Sequence, residues 1–155
     1  MEPQTPAAKS LAGACKIFRQ DLEALPEDAY CKQFGPATRT VADIVFEVNM
    51  VNDHVSMEIR GEKPFEWPED GWVKAPTDFN TKAIVLDAFN KSAQAAMDTA
   101  NGLTAEQMEE PMTKDDGSPT TRAERCRFMG LHMWYHSGQL NFIQTLLGDD
   151  AWHWN

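Results

Sequence analysis

Apolar residues recur at alternating steps of three and four in four stretches of the chain, and this spacing predicts four amphipathic helices. The first opens at Thr5 and Pro6, a suitable pair for the N-cap and first helical positions. It carries Leu11, Cys15, Phe18, Leu22 and Leu25 before Pro26 ends it. The second spans residues 40–60, with Val41, Ile44, Val48, Val51 and Val55 on one stripe and Gly61 as the stop. Its β-branched content is high, yet its period is helical. The third spans residues 81–101, where Leu86, Phe89, Ala93, Ala96 and Ala100 repeat the spacing and Gly102 closes it. Thr104 and Gln107 then form a capping box for a short extra turn. The fourth spans residues 121–147 and stops at Gly148. None of the connections shows sustained strand alternation. Four such stripes bury one another most simply as an all-α four-helix bundle, in one domain over residues 1–155.

Two connections are long and predicted to be irregular. Residues 62–80 contain Pro64, Pro68, Pro76, Trp67 and Trp72, and residues 109–120 contain Pro111, Gly117 and Pro119. Loops of this length in a compact domain are often functional or lie over the core as lids. Trp67, Trp72, Trp152 and Trp154 are expected to cover the ends of the bundle or to wall a ligand pocket.

The second helix carries another apolar row, Phe46, Met50 and Met57, opposite the valine stripe, with Glu47 and His54 between the two rows. A helix apolar on two faces is buried on two sides, within the bundle or at a subunit contact. A homodimer is the expected assembly. Glu47, partly desolvated there, needs a cation or a proton.

Lys and Arg number 14 against 24 Asp and Glu, a formal charge of −10. No basic block interrupts that balance, so nucleic acid and anionic membrane surfaces are not expected partners. No stretch approaches the run of apolar residues that crosses a bilayer. Leu11, Ala14 and Cys15 superficially suggest a lipoprotein cleavage site, but Lys9 interrupts an already short apolar stretch and no basic leader precedes it. Cys15, Cys31 and Cys126 lack metal-site or disulfide spacing and are expected to be core fillers in a reducing, cytoplasmic setting.

The chemistry starts with His132 and His136. On a helix they are rotated by only about 40° from each other, so the imidazoles point the same way. Phe128, Tyr135, Gln139, Phe142, Ile143 and Leu146 fall on the same arc, which predicts that both histidines face inward. Buried imidazoles need partners for their ring nitrogens; a shared metal supplies one, and carboxylates or water supply the alternative. A third ligand must come from another helix. Glu47 and His54 are the candidates, but they lie about 10 Å apart along the helix axis, so only one would bind. Gln139 either orients His136 or packs its amide, and His153 is expected to pack beside the terminal tryptophans.

Residues 39–47, from Arg39 through Thr40 and Val41 to Glu47, together with His132, His136, Gln139 and Gly148, resemble the DinB/YfiT-like family of bacterial four-helix-bundle proteins with a metal site. The resemblance spans most of the chain in helix order. It implies a divalent ion (zinc, nickel or iron) held by Glu47, His132 and His136, with Glu47 standing where the family usually has histidine. Two imidazoles and one carboxylate form a familiar three-ligand set for zinc or ferrous iron. Three protein ligands would leave a position open for water, which suits a metal-dependent hydrolase, and the resemblance adds a thiol-cofactor-dependent transferase or isomerase acting on a small-molecule substrate. The alternative is a bundle that binds a metal or ligand without turnover. A di-iron site is not expected, because no Glu-x2-His motif is present and there are four histidines in all.

Overall fold

The computed structural model describes residues 4–68, 72–114 and 116–155. Helix α1 covers Pro6–Ala24, α2 Val41–Arg60, α3 Lys82–Asn101, the short α4 Ala105–Glu109 and α5 Arg122–Leu146. Between α4 and α5 lie two strands, β1 at Pro111–Thr113 and β2 at Pro119–Thr121.

Local chemistry sets the helix starts. The hydroxyls of Thr5, Thr40, Thr81, Thr104 and Thr121 each accept a backbone N–H three residues on, and in α2, α4 and α5 the residue there (Asp43, Gln107, Glu124) reaches back to complete a capping box. Helix α2 stops at Gly61, whose φ of 74° only glycine adopts without penalty. These signals are short-range, so the predicted ends of the long helices agree with the observed ones to within a residue or two.

Helix α1 packs against α5 and α3, and α2 packs against α3 and α5. Between them lies the core, with Leu11, Phe18, Leu22, Val45, Val48, Phe89, Met129, Met133 and Leu140 buried. Phe18 and Phe89 meet with ring centroids 5.0 Å apart. The α1–α5 contact is the most extensive, and Gly130 lies in it: a Cβ there would sit 3.6 Å from the Ala14 Cβ and 3.7 Å from the Leu11 Cα. Alanine therefore fits, whereas Gly130→Leu should destabilise the fold by about 1–3 kcal/mol through overpacking, as measured by urea denaturation.

Three expectations are corrected. The connection over residues 109–120 is not irregular: β1 and β2 pair antiparallel, with Pro111 opposite Thr121 and Met112 opposite Thr120. Gly117, with φ of 81°, lies in the turn. Three-residue strands are too short to show alternation. Second, the buried residues of α5 are Ala123, Cys126, Met129, Gly130, Met133, His136, Ser137, Leu140, Ile143 and Gln144, so of the arc placed inward His136 and Ile143 are buried. Phe128, Tyr135, Phe142 and Leu146, placed inward by periodicity, are exposed. Helix α5 carries apolar residues nearly all round, and the small residues that admit α1 decide which side faces in. The histidines lie at the edge of that buried face. Third, Cys31 is exposed and its thiol points to the Asn80 carbonyl, 3.2 Å away, while Cys15 and Cys126 are buried and desolvation raises both thiols to about 11.

The connection after α2 lies along that helix. Phe79 meets Phe46 at 5.5 Å, Phe65 and Trp67 pack on His54, and the Ala75 N–H donates to Asp43 Oδ1 at 2.8 Å. The second apolar row of α2 is thus covered in part from within the chain. The C-terminal tail is tied down by Trp154, whose Nε1–H donates to the buried Asp21 at 2.6 Å. Ser137 and Asn141 donate to the same carboxylate. Among the described residues, no helix is long and apolar enough to cross a membrane.

Candidate metal centre

The contact between α2 and α5 brings Glu47 against His132 and His136. Glu47 Oε1 lies 3.4 Å from His132 Nε2 and 3.4 Å from His136 Nε2, and the two Nε2 atoms are 3.2 Å apart. Among the described residues, these three form a group able to offer three ligand atoms to one ion. The rings stand nearly perpendicular, 82° between planes with centroids 4.5 Å apart, so their Nε2 atoms point at a shared space.

The surrounding groups assign a role to each atom. Arg39 Nη2 holds the other carboxylate oxygen, Glu47 Oε2, at 2.6 Å, and also donates to the Asp43 carbonyl at 3.1 Å. Arg39 directly precedes the Thr40 cap, and its guanidinium lies 5.1 Å from the centre of the Trp72 ring. Glu47 therefore turns one oxygen to the arginine and the other to the imidazoles. His136 is buried, and its Nδ1 lies 2.8 Å from Gln139 Oε1. An amide oxygen only accepts, so Nδ1 carries the hydrogen and Nε2 keeps its lone pair. Orientation through the second ring nitrogen is how ligating histidines are commonly fixed. Of the two roles expected for Gln139, the geometry favours orienting.

His132 is packed beside Phe128, and its buried Nδ1 has no partner among the described residues. Two arrangements follow. Either His132 Nε2–H bridges Glu47 and His136 and Nδ1 is an unpaired acceptor, or Nδ1 carries the hydrogen and two lone pairs and a carboxylate oxygen face each other. The second arrangement needs a cation. The donor spacing suits one: a tetrahedral zinc ion with bonds of about 2.0–2.1 Å has ligand atoms about 3.3–3.4 Å apart. The observed edges of 3.2–3.4 Å fit without displacement of the helices.

Desolvation pulls the His132 pKa down to about 4, aided by the neighbouring His136 and opposed by Glu47. His136 is also lowered, again chiefly by desolvation, against the pull of Gln139 and Glu47. Both imidazoles are therefore neutral at pH 7, the form that binds metal. The sign for stability follows directly. Unfolded imidazole takes a proton near its ordinary 6.5 while folded His132 resists until about 4, so the folded state binds fewer protons across that window. In metal-free protein this contribution is complete above pH 6.5 and is lost as pH falls toward 4. Denaturant unfolding of wild type and His132→Gln between pH 7 and 4 should show the variant losing markedly less; parallel curves would refute it.

The sequence profile of the DinB superfamily matches residues 11–140, most of the chain, including all three residues of the trio. This chain belongs to the DinB superfamily. Two crystal structures share its fold: a conserved protein from Enterococcus faecalis, with TM-score 0.71 at 15% identity over 96% of this chain and 99% of that one, and a DinB-like protein from Bacillus cereus, with TM-score 0.71 at 16% identity over 95% of each. No curated protein matches the sequence significantly.

Within this DinB-superfamily fold, the structure separates the two candidates for the third position. Glu47 joins the imidazoles, whereas the His54 ring packs edge-on against Phe65 and Trp67, 5.2 and 5.9 Å away, with Glu58 Oε1 at 3.9 Å. His153 lies 2.7 Å from Asp149, between the tail tryptophans. Arg39 is the participant whose role sequence reasoning underplayed. Arg39 precedes the Thr40 N-cap and so lies outside the helix that carries Glu47, where helical spacing gives no signal of the pairing. A cavity of about 450 Å³ is lined by Arg39 and Gln139, the residues that contact Glu47 and His136, together with Trp72, Tyr135 and Phe142; the trio itself is not part of its wall.

Proposed function

We propose that this chain is a metal-dependent enzyme, a hydrolase or a thiol-cofactor-dependent transferase, built as a single four-helix-bundle domain over residues 1–155. Glu47, His132 and His136 would hold one divalent ion of zinc, nickel or iron. The observation that carries the reading is the triangle of donor atoms with edges of 3.2–3.4 Å, drawn from two helices; the residues that contact it, Arg39 and Gln139, line a cavity large enough for a small substrate. Such an ion, when bound, supplies Lewis acidity and lowers the pKa of a coordinated water or thiol. The chain's own residues do the rest. Gln139 holds His136 in the ligating tautomer, Arg39 pairs with the distal carboxylate oxygen of Glu47, and Phe128 and Tyr135 crowd the histidine rings.

A second reading, a bundle that binds a metal or ligand without turnover, is favoured by one observation: Arg39 already neutralises Glu47 at 2.6 Å, which weakens the pull of the carboxylate on a cation. Metal analysis of protein purified without a histidine tag decides first whether a site exists. Wild type should retain close to one divalent ion per chain and His132→Ala almost none; equal content in the two would remove the metal-dependent reading and leave only a bundle that binds a ligand without metal.

For the assembly we propose a homodimer in the cytoplasm, free of nucleic acid and membrane. The exposed apolar side chains of α5 outside the cavity wall, Phe128, Leu131 and Trp134, supply a surface to cover. The formal charge of −10 argues against nucleic acid. Light scattering should give twice the chain mass, and a monomer at high concentration would overturn the assembly.

A further inference from the structure

The cavity beside the trio has a lopsided chemistry. Its walls are mostly apolar, from Phe34, Ile44, Trp72, Phe142 and Leu146, and no acidic side chain lines it among the described residues, although the chain has 24. Among its lining side chains, Thr38, Arg39, Gln139 and Tyr135 carry polar groups, and the Tyr135 hydroxyl can donate or accept. Gln139 spends its amide oxygen on His136, so its NH₂ is what remains. The Thr38 hydroxyl is saturated: it donates to the Gly35 carbonyl at 2.9 Å and accepts from the Phe34 and Gly35 N–H groups at 3.0 and 2.9 Å. Arg39 only donates, and its Nε and Nη1 are buried without an acceptor among the described residues. Buried donors left unpaired are costly, and an arginine fork matches a carboxylate in shape and charge.

Gly138 supplies an independent observation. It sits in the interior of α5, where glycine weakens a helix relative to alanine, and it lines the cavity. Nothing lies within 4 Å of the position its Cβ would take, in contrast to Gly130, which faces α1. No protein contact requires glycine at 138; a side chain there would project into open space beside the cavity.

We propose that this cavity binds a small carboxylic acid with an apolar body, the acid group meeting Arg39 and the Gln139 amide and the body lying along Trp72, Tyr135 and Phe142 over the gap left by Gly138. Such an acid is the substrate class for the neighbouring centre, and the inference rests on the metal reading in one respect, the His136 tautomer that commits the Gln139 oxygen. The probes are 4-phenylbutyrate and its neutral amide, titrated calorimetrically into protein stripped of metal, with Zn²⁺ titrated separately into the same preparations. The acid should bind about tenfold or more tighter than the amide, as expected when a charge-assisted contact is replaced by a neutral one. Gly138→Leu, which fills the cavity without meeting protein, should lose at least that factor for the acid while binding Zn²⁺ as wild type does. His132→Ala should lose Zn²⁺ and keep the acid. The pair Arg39→Met with Glu47→Gln, which removes the ion pair whole, should bind acid and amide alike. Equal affinity of wild type for acid and amide, or binding of neither, overturns the proposal whatever the zinc titration gives. Acid selectivity with no zinc binding would sustain the pocket and sink the metal centre instead.

Discussion

Zinc should bind the wild-type protein one for one, and His136→Ala should weaken that binding by more than about 100-fold. Removing the partner that merely orients a ligating histidine typically costs 10–100-fold in metal affinity, so removing the ligand itself must cost more. His136 supplies one of three donors, and its replacement leaves a two-ligand remnant of Glu47 and His132. Gln139→Leu gives the intermediate step: it deletes the 2.8 Å contact to Nδ1 and leaves the ring in place, so about 10–100-fold is expected. Competition against a chromophoric chelator at pH 7 measures all three proteins. Because His136 is fully buried, its replacement also leaves a void, and circular dichroism must show the variant folded at the assay temperature. Equal zinc affinity in wild type and a folded His136→Ala would eliminate the trio as the ligand set.

The second large effect concerns Arg39. In metal-free protein its guanidinium is the partner of a carboxylate that is 12% exposed, and the arginine itself is 10% exposed. Deleting one member of a buried pair leaves the other charge uncompensated, which costs about 3–5 kcal/mol. Arg39→Met should therefore be destabilised by that order in metal-free urea denaturation. Saturating zinc should recover a good part of the loss, because an ion beside Oε1 supplies the missing positive charge. The stabilisation that zinc confers is then larger in Arg39→Met than in wild type. Each tenfold gain in affinity adds about 1.4 kcal/mol at fixed free zinc well above the dissociation constant. An equal zinc effect in both proteins would mean that Arg39 and the ion do not compete for Glu47.

Much of this architecture was legible before any coordinates. The Thr caps at 5, 40, 81, 104 and 121 and the glycine at 61 act within four residues of themselves, so the helix limits follow from local chemistry. The common direction of His132 and His136 follows from helix geometry, and the partly desolvated position of Glu47 from its place between two apolar rows. The inner side of α5 did not follow. With Phe128, Leu131, Tyr135 and Phe142 on one arc and Met129, Met133 and Leu140 on the opposite one, periodicity has no single maximum, and the close approach of Ala14 to Gly130 settles the matter. The hairpin of β1 and β2 was hidden for a related reason: its pairing is between segments too short to carry a pattern of their own.

By itself, then, the sequence determined where the helices begin and end, that two imidazoles share one direction, and that a carboxylate on the second helix needed a positive partner. Tertiary structure alone decided that this carboxylate is flanked by Arg39 on one oxygen and by both imidazoles on the other, and that His54 is held away under Phe65 and Trp67. The division is physical. Caps and helical direction depend on residues a few positions apart, whereas the meeting of Glu47 with His132, 85 residues later in the chain, depends on how α2 and α5 slide and rotate against each other as the whole core packs.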